Sequence, residues 1–147
     1  MYQRILVPLE HSAYDATILE HVRPLARLCK SSLVLIHVAD GWAARNMRQL
    51  HLQESEEMRA DREYLEQVCA ALTREGFTAE SVLANGDPPA EITAAATREQ
   101  CDLIAMSTHG HRFIADMIYG SVANAVRHRS TVPVLLVRGL VQSQQQL

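Results

Sequence analysis

The chain has 147 residues, of which 48% are hydrophobic and 21% are charged, and its formal net charge is -3. This size and balance predict one soluble globular domain, and the spread of lysine and arginine along the chain argues against nucleic acid as the main partner. No run approaches the ~18 apolar residues of a membrane span and no secretory leader precedes the first apolar run, so we expect no membrane contact and a cytoplasmic location.

Short apolar runs alternate with longer amphipathic stretches. In chain order, these patterns predict strand 4–9, helix 12–30, strand 33–38, helix 54–72, strand 78–84, a helix that ends near residue 100, strand 102–107, helix 120–128 and strand 132–137. Pro24 should kink the first helix, Gly76 should stop the second, and Asp87 is the predicted N-cap of the third. We expect one domain over residues 1–140 and a frayed glutamine-rich tail over 141–147.

The alternation of strands and helices predicts the architecture. It implies right-handed crossovers and therefore an α/β fold, in which helices cover both faces of a parallel sheet. In such sheets, ligands bind beyond the carboxyl ends of the strands, where the strand order reverses. The loops after the first, second and fourth strands are therefore the expected place for a site.

The loop after the fourth strand carries the most informative motif. Ser107, His109 and Gly110 are followed, after nine intervening residues, by Gly120 and Ser121. Glycine lets backbone N–H groups approach a phosphate, and the helix that begins here offers unpaired N–H groups at the positive end of its dipole. These residues by themselves leave phosphate binding and ordinary turn chemistry as alternatives.

Six segments spread over nearly the whole chain form a recognisable set: ILVPLE at 5–10, IHV at 36–38, GDPPAEI at 86–92, DLIAMSTHGHR at 102–112, YGSVA at 119–123 and VPVLLVR at 132–138. Together, in this order, they resemble the universal stress protein family. The resemblance implies a single doubly wound sheet of five parallel strands in the order 3-2-1-4-5. It also implies a Rossmann-like fold of the adenine nucleotide α-hydrolase type.

Family members that hold ATP share a Gly-x2-Gly-x9-Gly-Ser/Thr pattern. Gly110, Gly120 and Ser121 keep this spacing here, whereas Ser107 replaces the first glycine. Glu10 stands where the family usually has an aspartate that touches the ribose or a metal ion. The resemblance therefore implies that the protein binds ATP or another adenine nucleotide, together with Mg²⁺.

Roles carry over from the family by position. The end of the first strand lines the pocket, Val38 meets the adenine edge through its backbone, and the glycine loop and the following helix start surround the ribose and phosphates. His111 stands where relatives often have Arg or Lys, and Arg112 next to it supplies the charge. The implied binding residues are Pro8, Leu9, Glu10, Val38, Met106, Ser107, His109, Gly110, His111, Arg112, Gly120, Ser121 and Val122.

Neither a metal site made of protein side chains alone nor redox chemistry is predicted. His109 and His111 form an HxH pair without an evident third ligand. The isolated cysteines form no CxxC pair and no cluster with histidine, so we interpret them as free thiols in a reducing compartment. These cysteines are Cys29, Cys69 and Cys101.

Catalytic motifs are also missing from the sequence. Ser121, His109 and Asp116 could form a hydrolytic triad, but no GxSxG elbow presents the serine. The phosphate-binding P-loop motif GxxxxGK[ST] and the dinucleotide-binding motif GxGxxG do not occur, so neither type of site is predicted. His37 alternates with leucines on one strand face, and we interpret it as a structural histidine rather than a ligand.

We therefore expect a nucleotide-responsive regulatory protein of the stress response, with no catalytic residue and at most slow ATP hydrolysis. One alternative is a nucleotide-free dimeric interaction module, because Ser107 is a step towards family branches that lose the glycines. Another is an ATP pyrophosphatase or ligase. That enzyme would need an SGGxDS-type loop after the first strand, which Leu9-Glu10-His11-Ser12 does not provide.

The strand at 132–137 is the most apolar run in the chain. The implied strand order leaves it at an edge of the sheet. Pro133 is the only residue of the run that hinders pairing with another strand. A second copy of the chain can cover such an edge across a two-fold axis. We therefore expect a homodimer formed through this strand.

Overall fold

The computed structural model describes residues 1–40, 51–109 and 121–139. These residues form five strands: β1 (Arg4–Pro8), β2 (Ser32–Asp40), β3 (Ala79–Gly86), β4 (Leu103–His109) and β5 (Val134–Gly139). Four helices alternate with them: α1 (Tyr14–Cys29), α2 (His51–Arg74), α3 (Pro88–Arg98) and α4 (Ser121–Arg129). The sheet has the order β3-β2-β1-β4-β5, and its strands pair in parallel. The predicted α/β fold and strand order are confirmed.

The sheet separates two apolar layers, because successive side chains of a strand point to opposite faces. On β1, Ile5 and Val7 belong to one layer and Leu6 belongs to the other, and all three are 0% exposed. Helices α1 and α2 cover the first layer, and α3 and α4 cover the second. The continuous apolar runs are therefore buried on both sides, as is usual for strands of a parallel sheet.

Several helix ends follow the local signals in the sequence. The Asp87 side chain accepts a hydrogen bond from Ala90 N at 3.3 Å, which confirms the predicted N-cap of α3. Gly76, with φ of +98°, follows the end of α2, in a left-handed conformation that glycine adopts easily. Helix α1 runs through Pro24 as one element.

The start of α1 differs from the prediction. The pattern predicted a helix from Ser12, whereas α1 begins at Tyr14. The reason is that the Asp15 carboxylate accepts backbone N–H groups from the residues before the helix, so those residues form a loop.

Within the described ranges, no helix combines the length and apolar character that a membrane span requires.

The three cysteines are free thiols, and Cys101 is the most deeply placed of them, at 5% exposed. Burial is the main cause that raises the pKa of its thiol to about 11. Because the thiolate is the reactive form, we expect iodoacetamide to modify Cys101 at pH 8 only after unfolding. Peptide mass spectrometry of protein labelled with and without urea measures this. The half-buried Cys29 is the control, and equally fast native labelling of both thiols would contradict the prediction.

Candidate functional site

A cavity of about 360 Å³ lies at the carboxyl ends of β1, β2 and β4, where the strand order reverses. Strand ends and the starts of three helices form its lining. The lining residues are Pro8, Leu9, Glu10, Asp15, Ile36, His37, Val38, Pro88, Ile92, Met106, Ser107, Ser121, Val122 and Ala123.

The cavity has an apolar floor and a polar rim. Leu9, Ile36 and Met106 are buried at the floor, whereas Glu10 and Ser121 are exposed at the rim. A concave, mostly apolar surface with a few polar groups is the usual form of a small-molecule site.

The cavity gathers every residue of the implied set whose side chain is described. These residues are Pro8, Leu9, Glu10, Val38, Met106, Ser107, Ser121 and Val122. Gly110, His111, Arg112 and Gly120 lie outside the described residues, as does the side chain of His109. The binding roles of the whole set stay a prediction.

Other lining residues were not anticipated from the sequence. Ile36 lies two residues before Val38, Ala123 follows Val122, and the starts of α1 and α3 supply Asp15, Pro88 and Ile92. The polar loop that precedes Asp15 was the one local signal for its position. Pro88 and Ile92 reach the cavity because α3 begins directly after β3 and its first turns adjoin the cavity, which no spacing pattern reveals.

Val38, near the end of β2, lies beyond the last residue of that strand that pairs with β1. Leu9 N donates to Ile36 O at 2.8 Å, one step beyond the last β1 pair, which joins Pro8 to Ile36. Alternate residues of a strand direct their backbone groups to the same neighbouring strand. The N–H and C=O groups of Val38 therefore point to the β1 side of β2, beyond that last bond and towards the cavity.

His37 has an oxygen atom near each ring nitrogen. Its Nδ1 lies 2.9 Å from the Leu9 carbonyl oxygen, and its Nε2 lies 3.3 Å from Asp61 Oδ2. These contacts agree with the interpretation of a structural histidine. The same side chain also lines the cavity, which the sequence did not indicate.

Asp15 organises the loop between β1 and α1. It is 3% exposed and accepts the N–H groups of Glu10 and His11 at 2.9 Å and that of Ser12 at 3.2 Å. Tyr64 of α2 donates its hydroxyl to Asp15 Oδ2 at 2.6 Å. Burial and this hydrogen bond raise the pKa of the Tyr64 hydroxyl above its ordinary value, so this group remains a donor in alkaline as well as neutral solution. The loop that carries Glu10 is thus fixed by one buried carboxylate.

Helix α4 begins at the cavity. Its first three residues, Ser121, Val122 and Ala123, all contribute to the lining, and its first turn contains no acidic residue. The N–H groups of a first turn have no intrahelical acceptor and lie at the positive end of the helix dipole. This end of the cavity therefore suits an anionic group.

Comparison with known proteins relates this chain to one protein family. Residues 1–138 match the family model described as the universal stress protein family. The chain is 27% identical to universal stress protein MJ0577 of Methanocaldococcus jannaschii, over 94% of this chain and 96% of the relative. It is also 27% identical to universal stress protein YxiE of Bacillus subtilis, over 94% of this chain and 100% of the relative.

Solved structures show the same fold. The structure of MJ0577 matches with a TM-score of 0.84, covering 97% of this chain and 99% of that one. A universal stress protein from Archaeoglobus fulgidus, solved in complex with dAMP, matches with a TM-score of 0.67 at 24% identity, over 92% of this chain and 97% of the other. With a family model that matches almost its whole length, this chain belongs to the universal stress protein family.

Proposed function

We propose that this protein is a cytoplasmic, nucleotide-responsive regulator of the stress response, and that its cavity binds ATP or another adenine nucleotide. The position of the cavity carries the proposal, because it joins the end of β2 at Val38 to the N-terminus of α4. The first offers backbone hydrogen bonds to a base edge, and the second offers N–H groups to phosphate. The dAMP complex of the Archaeoglobus fulgidus relative supports this class of ligand.

The proposed pose follows the chemistry of the walls. The adenine ring lies on the apolar floor with its edge at the Val38 backbone, the ribose lies beside Glu10, and the phosphates extend towards Ser121. The buried floor residues exclude water from the ring. Residues outside the described part complete the phosphate end on the strength of the resemblance; they are Gly110, His111, Arg112 and Gly120.

The described residues fit a magnesium ion that is held mainly by the nucleotide. In nucleotide sites, Mg²⁺ takes one or two carboxylates together with phosphate oxygens and water. Within the described residues no group of three or more His, Cys, Asp or Glu side chains is arranged to hold a metal ion. Asp15 is buried and its carboxylate accepts the loop N–H groups, whereas the Glu10 carboxylate, which accepts from Ser12 Oγ at 3.2 Å, lies exposed at the rim. Glu10 would therefore be the described residue that holds Mg²⁺.

We propose that turnover is slow or absent. The titratable side chains among the described lining residues are Glu10, Asp15 and His37. Asp15 and His37 are engaged in the contacts that fix the cavity wall. Glu10 is assigned to the ribose and to Mg²⁺, and a carboxylate that holds a metal ion does not take the proton of the water that attacks the γ-phosphate. A binding role with regulatory consequences fits these groups better than hydrolysis.

The test is a titration of the purified protein with Mg²⁺–ATP by isothermal titration calorimetry. We expect a Kd in the micromolar range, which corresponds to about 7 to 8 kcal/mol of binding free energy. Gly120→Val should abolish binding, because a branched side chain blocks close approach of the backbone to a phosphate. Ala94→Val, which adds the same side chain at an exposed position outside the cavity, is the control.

The contrary result identifies the alternative function. A wild-type protein that neither binds ATP nor releases a nucleotide on denaturation, as measured by mass spectrometry, would favour the nucleotide-free dimeric interaction module. Equal affinities of the wild type and Gly120→Val would refute the proposed phosphate site.

We also propose that the protein is a homodimer through β5, since this strand lies at an edge of the described sheet.

A further inference from the structure

A network of polar side chains connects helix α2 to one wall of the cavity. The Asp61 carboxylate is shared by two histidines: Oδ1 lies 2.8 Å from His11 Nδ1, and Oδ2 lies 3.3 Å from His37 Nε2. Tyr64, one turn further along α2, stacks on the His11 ring with 4.1 Å between the ring centroids. Its hydroxyl donates to Asp15, which lines the cavity as His37 does.

Asp61 contacts both chain segments that border this wall. His11 belongs to the loop between β1 and α1 and has a left-handed backbone with φ of 63°. His37 lies on β2 next to Val38, and its other nitrogen faces the Leu9 carbonyl oxygen. One side chain of α2 therefore helps to fix the end of β1 and the end of β2 together.

The apolar attachment of α2 lies further along the helix. Leu65 and Leu72 are 1% and 0% exposed and pack in the layer under α1 and α2. Over residues 56–63, by contrast, the side chains are exposed apart from the half-buried Met58 and Asp61. Segments with few buried apolar contacts open at low free-energy cost. The docking of this part of α2 therefore depends strongly on the Asp61 network.

We propose that Asp61 is a positioning residue that couples occupancy of the cavity to the docking of residues 56–64 of α2. The inference rests on the proposed nucleotide binding. A nucleotide held between Val38 and the loop of Glu10 favours the arrangement that Asp61 fixes from the helix side. Coupling between two sites is reciprocal, so the bound nucleotide stabilises helix docking by the same factor by which docking improves binding.

The test compares two alanine variants on the same helix. Asp61→Ala removes both histidine contacts while alanine preserves the helix, since alanine is the best helix former. Glu63→Ala removes the same charge from an exposed position two residues away and is the matched control. Calorimetry with Mg²⁺–ATP should give a Kd that is about fivefold higher or more for Asp61→Ala and unchanged for Glu63→Ala.

Amide hydrogen exchange separates positioning from a simple loss of affinity. In the wild type and in Glu63→Ala, saturating Mg²⁺–ATP should slow exchange over residues 56–64, while residues 65–74, anchored by the two leucines, change little. In Asp61→Ala this slowing should disappear even when the cavity is saturated with nucleotide. If slowing persists there at saturation, Asp61 does not carry the coupling.

The outcomes for the two proposals can be told apart. A wild type and an Asp61→Ala variant that bind Mg²⁺–ATP with equal Kd would overturn the coupling and leave the proposed function standing. A wild type that binds no adenine nucleotide would overturn both, and this result is visible without any variant. Loss of affinity together with loss of the exchange response supports the coupling.

Discussion

Replacement of Asp15 by alanine is expected to lower the free energy of unfolding by about 3 kcal/mol. The carboxylate accepts three backbone N–H groups, from Glu10 to Ser12, and the hydroxyl of Tyr64. Hydrogen bonds to a charged acceptor are roughly twice as strong as neutral ones, and the variant leaves partly buried donors without that acceptor. Urea unfolding followed by far-ultraviolet circular dichroism measures the change.

Two further variants calibrate this prediction. Glu20→Ala removes a carboxylate from an exposed position of the same helix and should change stability by less than about 0.5 kcal/mol. Tyr64→Phe removes one of the donors to Asp15 and should cost about 1 kcal/mol. The role assigned to the buried carboxylate is wrong if Asp15→Ala and Glu20→Ala unfold at the same urea concentration.

The sequence predicted the elements whose signals are local. The run Ile5-Leu6-Val7 could be recognised as a strand because both faces of a parallel sheet are buried, so the run needs no polar alternation. Asp87 could be recognised as a cap because its partner, the N–H of Ala90, lies only three residues away. The start of α1 could not be placed as well, because the chemistry of Asp15 competes there with helical propensity.

The resemblance supplied the predicted positions of the candidate site. The prediction lacked the contacts between residues that are remote in sequence. Asp61 and Tyr64 lie 50 and 49 residues from their respective partners His11 and Asp15. The sequence predicted helix 54–72 but did not indicate which of its many charged side chains face the sheet. A spacing pattern cannot show which charged residue of such a helix faces the sheet, because the choice depends on how the helix packs.

Strand β5 gives the second large expected effect, which concerns the oligomeric state. Leu135 and Val137 pack against one apolar layer and Val134 packs against the other, whereas Leu136 is 37% exposed. Leu136→Lys therefore places a charge at the edge of the sheet without emptying the core. If a second copy covers this edge across a two-fold axis, two lysines meet there, and we expect the dimer to dissociate into monomers.

Light scattering coupled to size-exclusion chromatography measures this change. The wild type should have about twice the chain mass of 16.4 kDa, and Leu136→Lys should approach the mass of one chain. Leu28→Lys makes the same substitution at the end of α1, where the leucine is 82% exposed, and should remain dimeric. A wild type that is monomeric at tens of micromolar would refute the dimer. A Leu28→Lys variant that dissociates instead of Leu136→Lys would move the interface from β5 to α1, because the charge disrupts only the surface that a partner covers.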